Sequence, residues 1–168
     1  DKTAIVCNDE NMFDALKTAL SSYILLPSDV DKTNLTINIP TESIANITEI
    51  NLVDKQISDI TGIEKLTNLN RVNLGKNRIT SIQPLSDLTE IVELELNGNN
   101  LGNAAASILA NKTSINILNI SNTGINNISF LSNLSLLKEL YMANNSLSNL
   151  SVIEQRNTLN KLDVSGNT

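Results

Sequence analysis

The sequence predicts an α/β fold: a right-handed, curved solenoid with parallel strands on its concave face and a helical cap at its N-terminal end. Three observations predict it. A phrase with apolar residues at its first, fourth and sixth positions occurs six times: Ile47-Ile50-Leu52, Leu69-Val72-Leu74, Ile91-Leu94-Leu96, Ile115-Leu118-Ile120, Leu137-Leu140-Met142 and Leu159-Leu162-Val164. Successive phrases start 22 residues apart, except for the 24 residues from Ile91 to Ile115. Residues 1–46 carry no such phrase and read instead as a helix followed by a strand.

Each phrase predicts a short strand whose side chains alternate between core and solvent. No single coil can bury its apolar side alone, so stacking of neighbours supplies the stability. Between phrases, Ile57, Ile60, Ile63 and Leu66 recur every third residue, as do Ile79, Ile82, Leu85 and Leu88, and Ile125, Ile128, Leu131 and Leu134. That step suits a 3₁₀-like or extended convex segment. Burial of each such side chain is worth roughly 1.5–3 kcal/mol. Asn77, Asn99, Asn145 and Asn167 follow four of the phrases by three residues. An inward Asn there can both donate to and accept from backbone groups in the tight turn after the strand. Thr123 partly substitutes in the fourth coil, and Lys55 in the first is expected to point outward.

Asn8 and Asp9 offer N-cap side chains, and Met12, Phe13, Leu16, Ala19, Leu20 and Tyr23 follow at helical spacing. A helix over residues 9–22 is expected to close the first end of the solenoid. Pro27-Ser28-Asp29 reads as a turn, Leu35, Ile37 and Ile39 as a strand, and Pro40 to Ile44 as a short helical piece. The Ala-rich run from Gly102 to Asn111 predicts one convex α-helix in the longer coil. Arg156 stands where other coils have Leu66, Leu88 and Leu134, predicting a loosened or exposed convex side. The organisation expected is a cap over 1–46 and repeats over 47–168: five complete coils and the start of a sixth. The sixth coil is not followed by a polar cap, so the natural protein is expected to continue.

Composition excludes several functions. The net charge is −6 with no basic patch, which argues against nucleic-acid binding. No apolar run is long enough to insert in a membrane. The single cysteine, Cys7, cannot form an intramolecular disulfide and reads as a buried small hydrophobe. The absence of histidine removes His-type metal sites and His-based nucleophilic catalysis. No phosphate-cradling glycine loop is present. Asp29-Val30-Asp31-Lys32-Thr33 opens like a calcium loop, but Asn34 and Pro40 occupy the positions needing Gly and Glu, leaving a solvated turn. No enzyme activity, cofactor or metal is expected. The Asn-x-Ser/Thr triplets read as compositional.

The signature Leu-x-x-Leu-x-Leu-x-x-Asn makes the chain resemble leucine-rich-repeat proteins with 22-residue units. Asn77-Arg78-Ile79-Thr80-Ser81-Ile82-Gln83-Pro84-Leu85-Ser86-Asp87-Leu88, with the similar run from Ile57 to Leu69, resembles the coil of internalin-like bacterial surface proteins. The resemblance implies a curved solenoid, outside the cell or on its surface, that binds another protein. Related repeats also occur in intracellular scaffolds, in regulatory subunits and in the recognition arms of effector enzymes. A cytoplasmic role therefore remains the alternative.

Recognition is expected on the outward strand positions. One column reads Asn51, Asn73, Glu95, Asn119, Tyr141 and Asp163, and its neighbour reads Glu49, Arg71, Glu93, Ile117, Glu139 and Lys161. Glu93, Glu95, Ile117, Asn119, Glu139, Tyr141, Lys161 and Asp163 form the candidate partner-binding site. Tyr141 is the one aromatic among these positions, a residue type common among interface anchors. The carboxylates around it would steer a basic partner.

Overall fold

The computed structural model describes residues 1–168. Strand β1 (Lys2–Val6) is followed by helix α1 (Glu10–Ala19) and strands β2 (Val30–Asp31) and β3 (Thr36–Pro40). These three strands form an antiparallel sheet in the order β1-β3-β2. Six short strands then pair in parallel, in sequence order: β4 (Glu49–Asn51), β5 (Arg71–Asn73), β6 (Glu93–Glu95), β7 (Ile117–Asn119), β8 (Glu139–Tyr141) and β9 (Lys161–Asp163). This is the leucine-rich-repeat solenoid with its cap, one strand per phrase. A contiguous core of 42 buried residues runs from Ile5 in the cap to Ile153 in the fifth coil, so cap and coils share one interior. The apolar residues of the first five phrases are all buried. In the sixth, Leu162 is exposed and Leu159 and Val164 are half-buried.

The Asn residues bind as the turn requires. Asn77 accepts from the Lys55 and Ile57 N–H groups through Oδ1 and donates through Nδ2 to the Leu52 and Leu74 carbonyls. Asn99, Asn145 and Asn167 repeat the arrangement one coil apart or more. Each Asn thus satisfies backbone groups of its own coil and of the one before. Thr123 keeps part of this: its hydroxyl donates to the Ile120 carbonyl at 2.6 Å. Lys55 is exposed, as expected.

Several local expectations are corrected. Helix α1 stops at Ala19, where Leu20 caps it in a non-helical conformation, and Ser21–Tyr23 continues as one 3₁₀ turn. Asp9 alone supplies the N-cap, accepting from the Asn11 and Met12 N–H groups. Strand β1 was not legible as a strand, because its partner β3 lies more than thirty positions away; the pairing sets Ile5 opposite Ile37. Asp29 is not solvated: it is buried, pairs with Lys2 and accepts from the Leu26 N–H. The convex helix of the long coil shrinks to one turn, α2 (Ala106–Leu109), after a 3₁₀ segment at Gly102–Ala105. A coil only two residues longer than its neighbours cannot afford the short 1.5 Å rise of an α-helix over its whole convex side.

The convex side of the fifth coil is more exposed than that of the second, as expected, with Leu150, Arg156 and Leu159 half-buried where Ile82, Leu88 and Ile91 are buried. Arg156 nonetheless bonds across the coils. Its Nη1 donates to the Leu134 carbonyl of the preceding coil at 2.6 Å, and Ile153 beside it is buried. Lys112 holds the same place in the third coil; it is fully buried and donates through Nζ to the Ser86 carbonyl at 3.0 Å. Long cationic side chains thus fill leucine positions by covering apolar surface with their stems and bonding a carbonyl with their heads.

Candidate protein-binding face

The parallel register places the outward residues in two adjacent columns across the sheet. Glu93 lies beside Ile117, Ile117 beside Glu139 and Glu139 beside Lys161; Glu95 lies beside Asn119, Asn119 beside Tyr141 and Tyr141 beside Asp163. All eight candidate residues therefore share one face, with their alternate neighbours Leu94, Leu118 and Leu140 fully buried beneath. Lys161 is exposed and the other seven are half-buried.

Tyr141 is held in place. Its hydroxyl donates to Glu139 Oε2 at 2.9 Å, and Glu139 Oε1 pairs with Lys161 Nζ at 3.1 Å. The Tyr141 hydrogen bond, then Lys161, holds the Glu139 carboxyl below its ordinary range. The same bond pushes the Tyr141 hydroxyl up, and Glu139 likewise raises the Lys161 ammonium. Asp163 bonds Ser165 instead, through hydroxyl and backbone N–H, which lowers its pKa.

Towards the first coils the charge is less balanced. Arg71 Nε reaches Glu93 at 3.5 Å. Glu95 has no cationic partner; burial chiefly, and Glu93 and Glu139 nearby, push its carboxyl up against the opposing effect of a hydrogen bond from Asn119. Sequence reasoning missed what lies beside it. A cleft of about 790 Å³ opens between the cap and the first three strands, lined by Leu20, Tyr23, Glu49, Arg71, Glu93 and Glu95 among others. Glu93 and Glu95 thus serve the mouth of this cleft as well as the Tyr141 patch. Only the place of Tyr23 at the end of the cap helix hinted at it. No group of His, Cys, Asp or Glu is arranged to hold a metal. No helix is long and apolar enough to cross a membrane.

The family model of Leucine Rich repeats (2 copies) matches residues 45–86, and the six-strand parallel ladder carries the same repeat along the rest of the coils. The fold of this chain is the leucine-rich-repeat solenoid. It is similar to that of an internalin, InlF, from Listeria monocytogenes: 29% identity, TM-score 0.81, covering 96% of this chain and 44% of that one. The leucine-rich-repeat chain therefore spans less than half the length of that relative. The internalin InlC2 of the same organism is 26% identical with a TM-score of 0.52, over 97% of this chain and 86% of that one. A leucine-rich-repeat protein of Leptospira interrogans is 27% identical with a TM-score of 0.65, over 77% of this chain and 34% of that one. No curated protein matches by sequence.

Proposed function

We propose that this leucine-rich-repeat chain is a non-catalytic protein-binding module, displayed outside the cell or on its surface, that takes a protein partner across the strands of its third to sixth coils. The observation that carries this reading is Tyr141, set on the strand face with its hydroxyl fixed by Glu139 and an aliphatic side chain, Ile117, in the adjoining column. A tyrosine already held in one orientation loses little freedom on binding, which suits an interface anchor. The charged side chains around it supply orientation and encounter rate. The likeness to internalins supports the surface setting and a protein, rather than a small molecule, as ligand.

The test is a pull-down from membrane-protein extracts of candidate host cells, followed by affinity measurement on the captured partner. Tyr141→Ala should weaken binding by about 2 kcal/mol if it is a hot spot. Glu93→Lys with Glu95→Lys should slow association and change its salt dependence. Equal capture by the wild type and both variants, at unchanged melting temperature, would remove this face as the site.

A further inference from the structure

The first strand of the long sheet has no neighbour on its outer side. The cap sheet is separate, and β4 pairs only with β5. In that ladder the Arg71 N–H bonds the Thr48 carbonyl at 3.1 Å and the Leu52 N–H bonds the Asn73 carbonyl at 2.8 Å. This pattern turns the peptide N–H and C=O groups of Glu49 and Asn51 the other way, off the edge of the sheet. Both residues are exposed. The Asn51 side chain turns back to the Val53 N–H and leaves the edge open.

A trough borders this edge. On its far side stands α1, presenting Asp14, Ala15, Thr18 and Ala19. This part, about 320 Å³, shares Ala19 and Asn51 with the 790 Å³ cleft that continues past Tyr23 to the strand face. The small side chains of Ala15, Thr18 and Ala19 leave room for a backbone to run between helix and strand.

We propose that this trough is a strand-addition site, in which an extended segment of a partner protein, carrying Lys or Arg at alternate positions, pairs with the outer edge of β4. An unpaired edge is a template for another strand. Glu49 and Asn51 each offer a donor and an acceptor, so an antiparallel segment could make up to four backbone hydrogen bonds. Charge selects the occupant. One set of alternate side chains on the added strand faces the same way as Glu49, towards Glu93 and Glu95. Arg71 lies beside Glu49 in the ladder but pairs with Glu93, and neither Glu49 nor Glu95 has an ion-pair partner. A second copy of β4 would set Glu49 near its own kind, and like charges across a sheet repel. A basic segment gains where a second copy loses. The intervening side chains would face Ala19 and Tyr23, which favours small or apolar residues there.

The probes are seven-residue synthetic peptides, blocked at both ends, with Lys at alternate positions and Thr or Val between. Binding to the full chain is followed by fluorescence anisotropy and by amide hydrogen exchange. The Ile50 N–H, already in the ladder, should be protected without peptide. Exchange at Glu49 and Asn51 should slow at least tenfold when peptide is added. N-methylation of the peptide amides that face β4 should abolish binding, while N-methylation in the other register should spare it. Glu49→Pro, which removes a donor the fold does not use, should abolish binding with an unchanged melting temperature. Tyr141→Ala should leave peptide affinity unchanged, which separates this site from the face assigned above. Absence of binding, survival of binding when the amides that face β4 are N-methylated, or unchanged exchange at Glu49 and Asn51 would each overturn the proposal.

Discussion

Asn99 and Leu74, twenty-five positions apart, are joined by a 2.9 Å hydrogen bond from the Asn99 side-chain amide to the Leu74 carbonyl. The same amide reaches the Leu96 carbonyl, and its oxygen accepts from the Ile79 N–H. Asn99→Ala would leave these buried groups without partners and should destabilise the chain by about 1–3 kcal/mol. Asn97, two residues earlier and only half-buried, makes no such bonds, so Asn97→Ala should have little effect. Urea denaturation of the pair gives the comparison; equal losses would refute the inward assignment.

The Tyr141–Glu139 bond makes a spectroscopic prediction. Glu139→Gln should bring the Tyr141 hydroxyl back down towards the ordinary tyrosine value of about 10, read from phenolate absorbance in an alkaline titration. The same substitution has a pH signature in stability. The folded-state pKa of Glu139 is lowered, so its contribution is present above the unfolded value of about 4.3 and is lost as pH falls through the folded one. The stability gap between wild type and Glu139→Gln should therefore close at acid pH.

Lys112 separates packing from charge. Lys112→Ala removes a fully buried stem and should cost about 2–4 kcal/mol. Lys112→Met keeps the volume and should stay within about 1.5 kcal/mol of the wild type. Burial lowers the Lys112 pKa, with Asp87 opposing. The unfolded chain then binds more protons between the folded value and the ordinary one of about 10.4. Wild-type stability should consequently rise relative to Lys112→Met as pH increases across that window. Parallel melts of the two proteins over the alkaline range would show whether it does.

Cys7 reports on the joint between cap and first coil. Burial, with Glu64, Asp9 and Asp59 nearby, pushes its thiol up to about 12. Thiol reagents should therefore label it only through opening of the cap. Gly62 has a backbone φ of 111°, and an added Cβ would meet Cys7 Sγ and Ile5 Cγ2, each at 3.2 Å. Gly62→Ala should lower the melting temperature and speed Cys7 labelling together. Faster labelling without a loss of stability would contradict this coupling.

The repeat was legible because a side-chain period ties each inward residue to its position in the phrase; once Leu74 and Leu96 were placed, Ile120 and Met142 followed. The outward columns followed from the same count, and the ladder pairs Tyr141 with its neighbours in that register. What escaped was set by contacts between distant positions. Strand β1 depends on β3, the buried Asp29 on Lys2, and the Tyr141 constraint on the rotamer of Glu139. Arg156 reads as a break in the leucine column because its charged head dominates a reading by residue type, whereas the fold also uses its apolar stem.

The Asn ladder also has a direction. Asn77 ties the turn of the first coil, Asn99 that of the second, Asn145 that of the fourth and Asn167 that of the fifth, each reaching back to the coil before it. Tension applied from the Asn167 side removes the fastening of the next coil each time one is peeled away, so extension should proceed in successive steps. The third coil lacks an Asn fastening and is secured by Leu101 and Gly102 N–H bonds to the Thr123 carbonyl, which makes it a natural pausing or slipping point. Tension from the other side meets the cap and its shared interior first. The ladder should thus resist load unequally in its two directions, behaving as a ratchet-like fastener and not as a uniform spring.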